Sequence, residues 1–167
     1  MQVSNIVFVS RLISPQTSDI SHWPSSIGAR HSPVPSVLLE IDEKYRIFLK
    51  YDDGVPIAEV KMPALPKALY FVFLNHPEGF PLKHLIDYRE ELLLWYRKLS
   101  NRKDVEKYID KLVDSTDNSA NEKLSRIREA FEKIKENIEM KSYIPMGTKG
   151  ECFCVSVDKK RIIWKLK

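Results

Sequence analysis

The feature that most constrains the fold is a change of hydrophobic period at residues 62–65. Before it, apolar residues alternate with polar ones over short runs, the signature of half-buried strands. SVLLEI, YRIFLKY and VPIAEVKM read as three strands of a meander over residues 36–62. Asp42-Glu43 makes the first turn. Asp53-Gly54 signals a hairpin, because glycine accepts positive φ without a steric cost. Short turns make antiparallel pairing the simplest arrangement. After the change, apolar residues recur at three and four. The chain is therefore expected to be α+β, with an N-terminal antiparallel β-sheet and a helical part behind it.

Leu65-Pro66 opens the first helix, with proline suited to a first turn. Ala68, Leu69, Phe71, Val72, Phe73 and Leu74 are apolar nearly all round, so this helix is expected to be buried on most sides. It stops at Asn75-His76-Pro77-Glu78-Gly79. A second helix is predicted from near Pro81, with Leu82, Leu85, Tyr88, Leu92, Trp95, Tyr96 and Leu99 at helical spacing. A third spans Asp104 to Val113. The fourth starts at Ser119-Ala-Asn-Glu122, a capping-box pattern in which Ser and Glu satisfy each other's backbone N–H groups. Its stripe runs through Leu124, Ile127, Phe131, Ile134 and Ile138. SYIPM, ECFCVSV and RIIWKL then read as closing strands, joined by Gly147-Thr-Lys-Gly150 and Asp158-Lys159-Lys160.

The amino-terminal region reads differently. VSNIVFVSR, residues 3–11, has strand character. Residues 12–35 hold Pro15, Pro24, Pro33 and Pro35 among many serines, and read as a long loop with Trp23 as an anchor. Residues 1–64 thus form a strand-and-loop part and 65–167 a helical part with a C-terminal β-ribbon, expected to pack as one compact unit.

Several function classes find no support. At 167 residues, 43% hydrophobic and 30% charged, the composition is that of an ordinary globular domain. No run of 18 apolar residues and no signal-peptide pattern are seen, so a cytoplasmic protein away from the membrane is expected. Two cysteines, Cys152 and Cys154, make no disulfide scaffold or zinc site and read as small buried strand residues. His22, His31, His76 and His84 assemble no partner set, and no phosphate loop, G-x-S-x-G or H-E-x-x-H occurs. Neither an enzyme nor a cofactor is expected. The charge excess, formally +4, sits in residues 142–167, where Lys149, Lys159, Lys160, Arg161, Lys165 and Lys167 form a local basic patch.

The order of helix, helix, inserted helix, capped helix and ribbon follows the winged helix-turn-helix plan. The stretch 36–157 resembles the DNA-binding effector domain of OmpR/PhoB-type response regulators. Leu65-Pro66-Lys67 and His76-Pro77-Glu78-Gly79 are similar to that family's opening L-T-P-K-E…LL…H-P-G. Phe80-Pro-Leu-Lys-His-Leu85 stands where the family has V-S-R-E-E-L. Leu124-Ser-Arg-Ile-Arg-Glu-Ala-Phe131 resembles the recognition helix I-S-R-L-R-K-K-L, and Tyr143 to Phe153 stands where the family has its wing. The chain departs from the pattern by an inserted segment holding most of 104–113, by Met146 in place of the wing arginine, and by the lack of a receiver domain.

The resemblance implies sequence-specific binding of double-stranded DNA by a transcriptional regulator without a sensor domain. It places Lys123, Ser125, Arg126 and Arg128 on the recognition helix, and Thr148 and Lys149 in the wing. The alternative is a winged-helix protein-interaction module that binds no DNA. The run Leu92-Leu93-Leu94-Trp95-Tyr96 is too wide for one buried stripe. It implies either a cover supplied by the inserted helix, the favoured reading, or a protein partner or homodimer docking through Leu92, Trp95 and Tyr96.

Overall fold

The structure, a computed structural model, describes residues 37–134, 140–148 and 150–166. The strand expected at 3–11, the 12–35 loop with Trp23, Ile138 and Lys149 lie outside them. Among the described residues the fold is α+β, with a four-stranded mixed sheet and four α-helices.

Strands β1 (Val37–Ile41), β2 (Ile47–Tyr51) and β3 (Pro56–Val60) form the expected antiparallel meander. Alternation sets its faces: Val37, Leu39, Ile41, Ile47, Leu49 and Val60 turn inward and are buried. The first turn is built by Asp42. Its Oδ1 accepts from the backbone N–H groups of Lys44 and Arg46 at 2.9 and 2.8 Å, holding Tyr45 at φ 58°.

The inward face meets α1 (Ala64–Asn75). Ala68 to Leu74 are all buried. Seven apolar or aromatic residues in a row leave no polar side, so neighbours must cover this helix on several sides. The sheet, α2 (Arg89–Leu99) and α4 (Ser119–Glu132) do so. Tyr70 carries a hydroxyl into this core. It donates to the Tyr143 carbonyl at 2.8 Å, and the Tyr143 hydroxyl donates to the Val37 carbonyl at 2.7 Å. Burial pushes the Tyr70 phenol well above its ordinary pKa.

Two expectations about the second helix change. Residues Leu82–Tyr88 form a 3₁₀ segment, and the α-helix begins only at Arg89. Just before it, β4 (Phe80–Pro81) pairs with β5 (Cys152–Phe153), and Met146 bridges Cys154 in turn. α2 and α3 (Val105–Val113) run antiparallel, tied by Arg89–Asp110 and Arg97–Glu106 ion pairs, both at 2.7 Å.

The C-terminal end departs most from expectation. RIIWKL does not extend a ribbon with ECFCVSV. Its strand β6 (Ile162–Trp164) joins the first sheet, parallel to β1, giving the order β3-β2-β1-β6. The anchor is chemical as well as geometric. Lys165 donates its backbone N–H to the Ile41 carbonyl at 2.8 Å, and its Nζ reaches Glu40 at 2.8 Å. Lys50 meets the other Glu40 oxygen at 2.8 Å. Trp164 stacks on Trp95 with ring centres 5.6 Å apart and lies edge-on to Phe71.

Those rings resolve the wide apolar run on α2. Leu92 and Tyr96 are buried, and Trp95 is half-buried beneath Trp164 and Tyr45. The inserted helix supplies only part of the cover, through Tyr108 against Tyr96. Leu92, Trp95 and Tyr96 are thus covered, fully or in part, by the chain's own last strand and α3. SYIPM is no strand either; Met140–Tyr143 is a 3₁₀ turn.

Candidate nucleic-acid interface

The turn between α3 and α4 is held by its own carboxylates. Asp114 accepts from the Thr116 backbone and hydroxyl at 2.8 and 2.7 Å, and these hydrogen bonds hold its carboxyl below the usual range. Asp117 accepts the Ser119 backbone N–H at 2.7 Å. This replaces the expected capping box. Ser119 is the first residue of α4, not its cap, and a carboxylate already serves its N–H. Glu122 turns instead to Lys123 Nζ at 3.0 Å, which holds the Glu122 carboxyl below its ordinary value.

At 100° per residue, Ala120, Leu124, Ile127 and Phe131 define the inner face of α4, and all are buried. The opposite face centres on Glu122, Ser125 and Glu129, all exposed. The four residues singled out on this helix do not form one patch. Lys123 and Arg126 lie on the flank toward the first turn of α1, where they line a groove with Arg102. Arg128 shares the other flank with Asn121, which lines a cavity of about 240 Å³ with Gly150 and Phe153 of the hairpin. Ser125 sits between the flanks and donates back to the Asn121 carbonyl at 3.1 Å.

The cations differ in freedom. The Lys123 side chain is only 17% exposed and bound to Glu122. Arg126, 55% exposed, pairs with Glu129 at 3.2 Å. Arg128 is exposed, with no side-chain ion pair to another described residue. The exposed Arg126–Glu129 pair holds little net energy, roughly 0–1 kcal/mol, so a phosphate can displace that carboxylate.

The hairpin stands at the N-terminal end of α4. Gly79 lets it dock. At φ 71° that residue lies in the left-handed region, and a Cβ there would collide with the Phe153 carbonyl and the Cys154 side chain. Thr148 is exposed near the tip, and its carbonyl accepts from Glu151 at 2.9 Å. Lys149 is outside the described residues. The cysteines correct their expectation in part: Cys152 is exposed and Cys154 half-buried, while Val155 and Val157 point inward.

His76 closes α1. Its Nε2 meets Glu91 at 2.8 Å and its Nδ1 meets Glu78 at 3.2 Å, with Tyr88 edge-on to the ring. The arrangement joins the end of α1 to α2. Among the described residues, no group of three or more His, Cys, Asp or Glu could hold a metal ion, and no helix is long and apolar enough to cross a membrane. No family model, curated protein or solved structure matches this chain.

Sequence reasoning missed Arg102. It lies in the short α2–α3 connection, and only folding brings it beside Lys123 and Arg126. The single local signal is a cation six residues before Tyr108, whose hydroxyl it meets at 2.6 Å.

Proposed function

We propose that the chain binds double-stranded DNA as a winged-helix regulator, with α4 in the major groove and the 146–154 hairpin as its wing. One observation carries this reading. A hairpin paired to a short strand between α1 and α2 stands beside the N-terminal end of an exposed helix. That arrangement is compatible with the helix–strand–helix–helix–hairpin order of the winged plan. The α2–α3 pair takes the place of the single second helix.

The distribution of charge on α4 suits the task. A helix about 10–12 Å across fills a major groove about 12 Å wide, so its two flanks face the two backbones. Lys123 and Arg126 on one flank and Arg128 on the other would then meet phosphates of opposite strands. Glu122, Ser125 and Glu129 between them would meet base edges, where a carboxylate accepts from the cytosine N4 amine. Thr148 would touch the adjacent backbone. The arginines thus serve position rather than base reading, which refines the role their sequence pattern implied.

The test is anisotropy of a labelled random duplex across a salt series. Three phosphate contacts predict a log–log slope of about −2.7. The combined Lys123→Ala, Arg126→Ala and Arg128→Ala variant should lose that binding at unchanged melting temperature. No binding by the native chain even at roughly 50 mM salt sinks the reading.

A second reading, a protein-interaction module, is favoured by the acids at the centre of α4's outer face. Glu122 and Glu129 already engage two of its cations. That module would bind no duplex at any salt concentration.

A further inference from the structure

A groove of about 390 Å³ runs between the first turn of α1, the α2–α3 connection and one flank of α4. Its walls carry three cations, Arg102, Lys123 and Arg126, against one carboxylate, Glu122. Ala64, Leu65 and Pro66 form an apolar side that offers no counter-charge.

Arg102 is held in place before any ligand arrives. Its Nη1 donates to the Tyr108 hydroxyl at 2.6 Å, and the guanidinium stands 5.1 Å from that ring's centre. Tyr108 in turn abuts Tyr96 edge-on, and the Arg102 backbone N–H donates to Ser100 Oγ at 3.3 Å. Ordering a long side chain ahead of binding removes an entropic cost from the binding step. Lys123 is confined too, by its low exposure and its bond to Glu122. Lys123 and Arg126 are already paired, with Glu122 and Glu129, so Arg102 carries the charge left uncompensated in the groove. A dianion with several acceptor oxygens can engage it together with the two paired cations, and an arginine fork matches phosphate geometry.

We propose that this groove is a binding site for a phosphate group, with Arg102 as its fixed donor and Lys123 and Arg126 closing on the anion. Arg102 lies off α4, while Lys123 and Arg126 are shared with the proposed DNA contacts; the groove as an anion site is argued from its own lining and does not rest on that reading. The phosphate can belong to a polynucleotide backbone or to a small phosphorylated molecule.

The experiment titrates inorganic pyrophosphate into the isotope-labelled full chain, against a chloride control of equal ionic strength, and follows backbone amides by NMR. Saturable shifts at Ser100, Arg102, Lys123 and Arg126 are expected. Arg102→Ala should weaken them about ten-fold, with Arg102→Lys between the two, because a point charge replaces the fork. An unchanged melting temperature shows that the variants fold. Shifts that never saturate, shifts spread equally to Lys159 and Lys160, or full affinity in Arg102→Ala overturn the proposal. A labelled short duplex then separates the sources. Displacement of the duplex by pyrophosphate beyond the salt control assigns the groove to a polynucleotide backbone. Pyrophosphate binding without displacement, or with no duplex binding at all, assigns it to a small ligand and leaves the groove intact even where the DNA reading fails.

Discussion

Helices α1 and α4 are similar in length and opposite in use. α1 buries eight of its twelve residues and is enclosed by the sheet, α2 and α4. α4 buries six of fourteen, and all the others but the part-buried Lys123 are exposed. The difference teaches where each kind of information resides. Substitutions at the buried positions of α1 should be read out as stability, because those side chains have packed neighbours. Substitutions on the outer face of α4 should be read out as binding, because those side chains touch little of the chain itself.

The largest effect tests the α1 side. Phe71 is fully buried between Trp95 and Trp164. Phe71→Ala should cost about 3–5 kcal/mol in denaturant unfolding, and a cost below about 1 kcal/mol would break the contrast. Gly79→Ala comes next, at about 2–3 kcal/mol, since it forces both a left-handed alanine and a collision with the Phe153 backbone. Its hairpin amide shifts should move while those of β1 to β3 stay. Third is Glu40, whose carboxyl is held below its ordinary range by hydrogen bonds from Lys165 and then Lys50. A lowered folded pKa gives stability that is complete above the unfolded value of about 4.3 and is lost as pH falls through the folded one. Glu40→Gln should cost about 1 kcal/mol at neutral pH, discounted because Lys165 is half in water, and should flatten the acid limb of the stability curve. The smallest stability effect belongs to α4: Arg126→Ala with Arg128→Ala should stay within about 0.5 kcal/mol by thermal melt. A larger loss would mean that these arginines hold the fold rather than face a ligand.

The same contrast decides what could be read in the sequence. The meander, the buried first helix and the Leu124, Ile127 and Phe131 part of the α4 stripe were legible, because period and composition report burial locally; the helix ends at Glu132, before Ile134, and Ile138 lies outside the described residues. Ile47, Leu49 and Val60 turn inward as alternation requires. Partners at long range were not legible. Nothing in RIIWKL says that it pairs with VLLEI rather than with ECFCVSV; that choice follows from Glu40 drawing Lys165 and from Trp164 covering Trp95. The capping box failed because a closer acceptor, Asp117, took the Ser119 N–H that pattern reading gave to the Glu122 side chain. At the candidate site, Ser125, Arg126 and Arg128 were legible as exposed residues of α4, whereas Lys123 is largely covered. Their division into two flanks, and the arrival of Arg102 beside one of them, needed the fold.

The most direct test of α4 as the binding face, with α1 and its sheet as scaffold, is an NMR titration of the labelled chain with a short duplex at low salt. Shifts concentrated on residues 121–133 and on the hairpin, with β1 to β3 and the interior of α1 unmoved, are the expected result. Shifts centred on the sheet, or none at all, contradict it.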